Sequence, residues 1–150
     1  MRLVIQRVQE AELKIDGAVY SSIGPGMLVL LGIEYEDNEE DLNFLVQKLA
    51  GMRIFSDEEG KMNLDIKQVN GEIMIVSQFT LHASTKKGNR PSFIKAARPE
   101  KAIPLYEKFI LETEKAMGKI CKTGQFGADM KIKLVNDGPV TILMDSKNRE

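Results

Sequence analysis

A chain of 150 residues, 43% of them hydrophobic, is long enough for a single domain over residues 1–150 with one core. A formal net charge of −1 excludes a protein that coats nucleic acid, and the lack of any apolar run near ~20 residues excludes a membrane span. One histidine and one cysteine are too few for a zinc site of the usual ligands, and with no signal peptide they predict a cytoplasmic protein without a bound metal.

Hydrophobic patterning predicts strands in the first part of the chain. A strand over 3–8 is followed by a half-exposed strand over 11–15, in which apolar and charged residues alternate. Asp16-Gly17 predicts a two-residue hairpin, and a return strand begins at Ala18. After a Gly-Pro-Gly break, the nearly continuous apolar run over 27–33 predicts a central strand.

A first helix is predicted after an acidic stretch. Asp37 fits its N-cap, Glu40 three residues later fits a capping box, and Gly51 fits its C-cap. The apolar residues between them recur at helical spacing. A short strand over 53–55 and a weak strand over 64–69 follow.

The stretch from Gly71 to Thr80 predicts the strand around which the fold is organised. Four apolar residues, Ile73-Met74-Ile75-Val76, indicate a strand buried on both faces. The stretch then changes abruptly to Ser77-Gln78-Phe79-Thr80, which places three hydrogen-bonding side chains where a central strand leaves the core. Polar groups there are costly unless they are used or satisfied, so a functional site and a turn that bonds its own backbone are both open.

The C-terminal part predicts one helix and more strands. Pro99 fits the first turn of a second helix, which ends at Gly118, and strands are predicted over 120–122, 131–135 and 140–144. This order predicts an α+β domain, with a strongly curved, barrel-like mixed sheet and two main helices packed on it. Because exposed strand edges need cover and a second copy supplies it most simply, we expect a homodimer.

Basic residues are concentrated in one loop. Five of them and no acidic residue lie between His82 and Arg98, among them Lys86, Lys87 and Arg90. A local basic loop can hold a few phosphates in a protein of near-zero net charge. Composition alone favours a solvated surface loop, so contact with RNA phosphates is the alternative.

A hydrolase that uses Ser77 or Thr80 as nucleophile and His82 as base is the first enzyme to consider. On a continuing strand Ser77 and His82 point to opposite faces, and Thr80 and His82 stand ~6.5–7 Å apart, against the ~2.6–3.2 Å that the pair needs. A turn after Thr80 leaves the Thr80–His82 pair open. The chain has neither a Gly-x-Ser-x-Gly elbow nor a phosphate-binding loop, so its side chains offer little acid–base chemistry.

Several stretches in the right order resemble one family. Ser77-Gln78-Phe79-Thr80-Leu81 and Asn136-Asp137-Gly138-Pro139-Val140-Thr141 resemble the two signature motifs of the D-aminoacyl-tRNA deacylases, formerly called D-tyrosyl-tRNA deacylases. The segments 4–8, 86–93 and 123–128 resemble that family as well, so the resemblance covers the chain from end to end.

The resemblance implies a homodimeric hydrolase, free of metal and cofactor, that cleaves the ester between a D-amino acid and the 3′-terminal adenosine of tRNA. It thereby implies chiral proofreading in translation. The first motif would form the catalytic pocket around the ester with Ser77, Gln78, Phe79 and Thr80. The ribose hydroxyl next to the ester would assist the hydrolysis, and backbone N–H groups near Phe79 and Thr80 would stabilise the oxyanion.

The resemblance also assigns the substrate-binding residues. Gly138 and Pro139 would enter the pocket from the other subunit as a cis pair, held by Arg7, and would exclude L-aminoacyl groups by occupying space. Glycyl-tRNA, which has no side chain to exclude, is expected to be hydrolysed too. The tRNA-binding residues would be Lys86, Lys87 and Arg90. Two alternatives are a non-catalytic dimeric RNA-binding module and a Thr80–His82 hydrolase of small esters.

Overall fold

The computed structural model of the protein describes residues 1–149, which form eight strands, two α-helices and one 3₁₀ turn. The strands are β1 (Arg2–Ile15), β2 (Ala18–Ile23), β3 (Gly26–Gly32), β4 (Phe55–Ser56), β5 (Met62–Leu64), β6 (Glu72–Ser77), β7 (Lys122–Thr123) and β8 (Met130–Asp145). The helices are α1 (Glu39–Ala50) and α2 (Pro99–Met117), and the 3₁₀ turn is Phe79–His82.

Six of the strands form one mixed sheet that curves into a nearly closed barrel. Its order is β2-β1-β3-β6-β7, with β8 paired to the other edge of β1. The pairs β3–β6 and β6–β7 are parallel, and β1 is antiparallel to each of its three partners. The Ser21 hydroxyl donates to the Thr123 carbonyl at 2.8 Å and so links β2 and β7, the two ends of the path. The predicted barrel-like mixed sheet with two helices is therefore confirmed.

The two central strands are buried on both faces, as their apolar runs predict. Along β6, Ile73 and Ile75 belong to the main core with α1 and α2, while Met74 and Val76 belong to a second cluster on the other face of the sheet. On β3, Val29 and Leu28 divide in the same way. Both strands therefore pack apolar side chains against a cluster on each face of the sheet.

Helix α1 begins one residue later than predicted. Its N-cap is Asn38, whose side chain accepts from the Glu40 N–H, and Asp41 completes the capping box. Asp37 is buried instead, where its carboxylate accepts from the Glu34 N–H at 2.8 Å and from the terminal ammonium group of Met1. The predicted helix ends at Gly51 and Gly118 are confirmed, and Pro99 is the first residue of α2.

Several strand predictions differ from the structure. The predicted strands over 3–8 and 11–15 are one strand, β1, and those over 53–55 and 120–122 each share a single residue with β4 and β7. Residues 65–69 form turns after the short strand β5, so the predicted strand over 64–69 is absent. The segments 131–135 and 140–144 belong to one long strand, β8, because its pairing with β1 continues past the bulges near Val8. Within residues 1–149, neither helix combines the length and apolar character needed to cross a membrane.

Candidate functional site

The buried strand β6 ends at Ser77, and the chain turns at once. Ser77 lies level with Leu31 of β3, and the Gln78 N–H donates to the Leu31 carbonyl at 2.8 Å. Phe79–His82 then forms a single 3₁₀ turn. We call residues 77–82 the site turn. Because the strand stops at Ser77, the alternation of side chains used in the sequence argument does not extend to Thr80 and His82.

The site turn is held against two neighbouring strands. Gly32 of β3 lies so close to it that an added Cβ would stand 2.9 Å from Leu81 Cβ and 3.1 Å from the Gln78 carbonyl oxygen. From β1, Arg2 donates through Nη1 to the Leu81 carbonyl at 3.0 Å and through Nε to Asp145 at 2.7 Å. Burial of Asp145 raises its pKa, but the hydrogen bonds from Arg2 and from the Lys147 and Asn148 backbone, together with the Arg2 charge, outweigh this and hold the pKa below its usual range.

Two backbone donors at the start of the site turn are free. The first N–H groups of a helical turn have no partner within the helix, and those of Phe79 and Thr80 find no acceptor within residues 1–149. Both residues are exposed. The Thr80 hydroxyl accepts from the Gln78 side-chain amide at 2.5 Å. Adjacent N–H groups without an acceptor, on two exposed residues, suit a developing negative charge on a substrate oxygen.

The structure does not assemble a nucleophile and base from Thr80 and His82. The His82 side chain is fully buried, and neither ring nitrogen makes a hydrogen bond. The Cys121 thiol is no alternative, because burial raises its pKa to about 12 and keeps it protonated at neutral pH. In residues 1–149, no group of three His, Cys, Asp or Glu side chains is arranged to hold a metal ion.

The basic loop is attached to the site turn. Ser84 and Ser92 exchange two backbone hydrogen bonds, of 2.8 and 2.9 Å, which close the loop at its base. Phe93 then packs edge-on against Phe79, with ring centroids 5.2 Å apart. The side chains singled out from the sequence, Lys86, Lys87 and Arg90, are exposed on this loop. Their charges therefore lie on a closed loop that is tied to the site turn.

The second predicted motif is held by Arg7. Its Nε donates to the Asp137 carbonyl at 3.2 Å and lies 3.0 Å from the Asp137 carboxylate, while Nη1 donates to the Ile54 carbonyl at 2.6 Å. Arg7 is buried, and the peptide bond between Gly138 and Pro139, which follow Asp137, is cis. Gly138 and Pro139 are both exposed, so this backbone lies at the surface of the chain that holds it.

One chain does not bring the two motifs together. Ser77 is level with Leu31 and, through it, with Leu3 of β1. Arg7 is four residues further along β1, or about 13 Å at the usual rise per residue. The strands β6 and β8 are three positions apart in the sheet, or about 14 Å. These offsets put the motifs roughly 15–20 Å apart within one chain.

A cavity of about 400 Å³ opens beside the site turn at Leu81. Its apolar lining includes Phe44 and Leu143, of which Leu143 is 75% exposed. The cations that line it are Arg2, Lys48 and Arg149, against the one carboxylate of Asp145.

The sequence did not predict the roles of Arg2 and Gly32 in holding the site turn. No local spacing connects either residue to the turn, which lies about 80 residues after Arg2 and about 50 after Gly32.

Comparison with known proteins identifies relatives along the whole chain. The family model described as D-Tyr-tRNA(Tyr) deacylase matches residues 4–145. A protein of Bacteroides thetaiotaomicron and one of Akkermansia muciniphila, both named D-aminoacyl-tRNA deacylase, are each 59% identical to this chain over 150 residues, which is 100% of both chains in each pair.

Two solved structures share the fold. The structure of a c-Myc DNA unwinding element binding protein aligns with a TM-score of 0.91 at 40% identity, over 97% of this chain and 98% of that chain. The structure of a probable eukaryotic D-amino acid tRNA deacylase aligns with a TM-score of 0.82 at 19% identity, over 95% of this chain and 97% of that chain. At that lower identity the likeness concerns the fold alone.

Proposed function

Because the chain belongs to the D-Tyr-tRNA(Tyr) deacylase family, we propose that it is a hydrolase that cleaves the ester of D-aminoacyl-tRNA. The observation that carries this proposal is the full-length match, at 59% identity, to relatives that are named for the activity. A water oxygen bonds to the ester carbonyl carbon, and the bond from that carbon to the ribose oxygen breaks. The products are the free D-amino acid and tRNA with its terminal hydroxyl restored. The reaction takes place in the cytoplasm and uses no cofactor.

The free N–H groups of Phe79 and Thr80 stabilise the oxyanion in this mechanism. They are exposed at the end of a rigid central strand, which is the arrangement that holds donors in place before the charge develops. The ribose hydroxyl next to the ester assists its own hydrolysis. This part of the proposal is supported by the burial of His82, which is therefore not positioned as a base for Thr80.

Gly138 and Pro139 select the hand of the substrate by occupying space. Their exposed backbone is held through Asp137 by the buried Arg7, so it is a firm wall rather than a loose loop. Such a wall excludes the side chain of an L-aminoacyl group and leaves a D side chain free on the other face. The exposed carbonyls of the pair accept from the substrate α-ammonium group.

A homodimer completes each site, with the Gly138–Pro139 pair of one subunit inserted at the site turn of the other. The separation of roughly 15–20 Å between the motifs within one chain supports this, because a single chain builds only half of the pocket. Two large apolar side chains support it as well, since Phe79 is 56% exposed and Leu143 is 75% exposed. Apolar exposure of this kind beside a functional turn is typical of a surface covered by a partner.

The basic loop contacts the tRNA backbone through Lys86, Lys87 and Arg90. The support is its attachment to the site turn through the contact between Phe93 and Phe79. If the ester binds at the site turn, the charges of the loop are available to the RNA end that carries it. The cavity beside Leu81, which Arg2, Lys48 and Arg149 line, adds further cations near the site turn. A few exposed cations of this kind position a phosphate chain without reading its sequence.

The deciding experiment measures the release of tyrosine from D-Tyr-tRNA and L-Tyr-tRNA by the purified protein with a chelator present. We expect rapid release from the D substrate and none above background from the L substrate. A non-catalytic RNA-binding module would bind both RNAs and release neither amino acid. A Thr80–His82 hydrolase would turn over small esters that lack RNA, which the deacylase should leave intact.

A further inference from the structure

His82 is an anomaly in the core beside the site turn. Its side chain is fully buried, and its two ring nitrogens are the buried side-chain polar atoms without a hydrogen-bond partner in residues 1–149. An imidazole always has at least one N–H to donate, and a buried donor without an acceptor destabilises the folded state. Leucine or phenylalanine would fill this space without that cost, so a histidine here calls for a polar partner.

The partner within reach is Glu34. Its Oε2 atom lies 3.7 Å from His82 Nδ1, and its side chain is only 17% exposed. A hydrogen bond needs about 2.7–3.2 Å, so a side-chain movement of about 0.5–1 Å closes the gap. The Glu34 backbone is fixed, because its N–H donates to Asp37 at 2.8 Å and the residue bridges to Ala96. Glu34 is therefore a firm point to which His82 can be tied.

His82 is the last residue of the site turn, at the end opposite to Gln78, which is hydrogen-bonded to Leu31. The first anchor, from the Gln78 N–H to the Leu31 carbonyl, holds the start of the turn, and Arg2 holds Leu81. A bond from His82 to Glu34 would fix the end of the turn to the segment after β3. The Phe79 and Thr80 N–H groups lie between these anchors, so their direction depends on all of them.

We infer that His82 is a positioning residue for the deacylation, and this inference rests on the proposed function. Its Nδ1–H donates to the Glu34 carboxylate and locks the site turn in the conformation that directs the Phe79 and Thr80 N–H groups at the oxyanion. His82 touches neither substrate nor reacting atoms. Its effect therefore falls on kcat and leaves the binding of tRNA unchanged.

The kinetic test uses variants that remove or keep each half of the bond. His82→Leu and Glu34→Ala should each lower kcat about tenfold, the factor of one ordinary hydrogen bond, at unchanged KM. His82→Asn keeps an N–H near the position of Nδ1 and should restore most of the loss, as should Glu34→Gln, which keeps an acceptor. Glu36→Ala, which removes an exposed carboxylate two residues from Glu34, is the matched control and should be silent.

The double variant His82→Leu/Glu34→Ala separates a shared bond from two independent effects. If the two residues act through one bond, the double variant loses no more than either single variant. Full activity of Glu34→Ala, or multiplied losses in the double variant, would overturn the inference. Should His82→Leu fail to fold, the comparison of Glu34→Ala with Glu34→Gln and His82→Asn still decides it.

A spectroscopic readout is independent of the deacylase activity. His82 is the only histidine of the chain, so any imidazole N–H resonance belongs to it. We expect a slowly exchanging Nδ1–H resonance in the wild type that is lost in Glu34→Ala and kept in Glu36→Ala. If the protein shows this resonance but does not hydrolyse D-Tyr-tRNA, the proposed function fails and the Glu34–His82 bond stands. A wild type without the resonance refutes the bond itself.

Discussion

Arg7 holds Asp137 at two points, because its Nε lies 3.2 Å from the Asp137 carbonyl oxygen and 3.0 Å from the carboxylate. The guanidinium is buried, and its Nη1 also donates to the Ile54 carbonyl at 2.6 Å. A planar guanidinium bonded on several sides fixes its partner in direction as well as distance. The exposed Gly138 and Pro139 that follow are therefore presented by a rigid support.

Gly138→Ala tests whether activity depends on the backbone conformation that Arg7 supports at Gly138. Gly138 has φ of +118°, which L residues rarely adopt, and an added Cβ would stand 2.8 Å from Arg7 Nη2 and 2.9 Å from Val140 Cγ2. Because the backbone must shift to relieve both contacts, we expect kcat/KM for D-Tyr-tRNA to fall at least about tenfold. The matched control is Gly60→Ala, where φ is +77° and no atom of residues 1–149 lies within 4 Å of the added Cβ. Equal activity of the two variants would contradict the role of Gly138.

Mixed dimers test whether each site uses two subunits. Gly32→Ala should displace the site turn, since its Cβ would stand 2.9 Å from Leu81 Cβ, while Gly138→Ala damages the other motif. After subunit exchange of equal amounts, half of the dimers are mixed, and each has one intact site of two. The mixture should regain about 25% of wild-type activity, although each variant alone is nearly inactive.

Sedimentation and circular dichroism provide the controls for that experiment. Each variant must remain folded, and the wild type should sediment as a dimer of its 16.8 kDa chain. No regain of activity after verified subunit exchange would show that each site lies within one chain. A fully active monomer would lead to the same conclusion.

Local patterns in the sequence were enough to predict much of the fold. The hairpin at Asp16-Gly17 is present, with positive φ of 51° and 80°, which aspartate tolerates and glycine adopts freely because it has no Cβ. The central strand before Ser77 follows from four consecutive apolar residues, and Gly118 ends α2 in the left-handed conformation that favours glycine. Each of these features depends on neighbours within a few residues.

The errors in the predicted helix and strand bounds arose where contacts between residues far apart in the sequence determine the local structure. Asp37 and Asn38 are both residue types that cap helices well. Asn38 is the N-cap because the Asp37 carboxylate already accepts hydrogen bonds from the Met1 ammonium group and the Glu34 N–H. The Asn136–Pro139 segment contains turn residues, yet it stays within β8 because β1 pairs on both sides of it. A contact between residues 36 positions apart leaves no local trace in the sequence.

The candidate site likewise contains residues that short sequence motifs predict and residues whose roles depend on distant contacts. Ser77 to Thr80 and Gly138-Pro139 were identified from the sequence because they form short, contiguous motifs. Arg2 was missed because its hydrogen bond to Leu81 spans 79 residues. The burial of His82 was also missed, because it depends on how the turn after Ser77 packs against Gly32 and Glu34, about 50 residues earlier in the chain.

Thr80→Ala tests whether the enzyme supplies a nucleophile. The Thr80 hydroxyl accepts from the Gln78 amide at 2.5 Å and makes no hydrogen bond to a base within residues 1–149, so its removal should cost less than about tenfold in kcat. Loss of a true nucleophile typically costs several orders of magnitude. Single-turnover rates on D-Tyr-tRNA distinguish the two cases. A fall of about a thousandfold or more, with fold and tRNA affinity intact, would assign Thr80 a covalent role.

Salt dependence tests the basic loop. If Lys86, Lys87 and Arg90 each contact one phosphate, the affinity for tRNA should fall with salt at a log–log slope of about −2, from about −0.7 per contact on single strands. Replacing all three with glutamine should flatten that slope. Lys67→Gln is the control, because this exposed lysine precedes β6 at the end opposite to the site turn. An unchanged slope in the triple variant would remove the loop from the RNA contact surface.

Glycyl-tRNA gives the sharpest test of chiral selection. If Gly138 and Pro139 exclude L substrates by occupying space, the site rejects a side chain on one face and need not reward one on the other. Glycine has no side chain on either face, so a purely steric wall has nothing to reject. We therefore expect glycyl-tRNA to be hydrolysed at a rate much nearer to that of D-Tyr-tRNA than to that of L-Tyr-tRNA. The three substrates should be measured side by side on the wild type, with uncatalysed hydrolysis subtracted for each. Robust D activity without glycine activity would mean that the pocket binds the D side chain directly, and the steric account would be wrong.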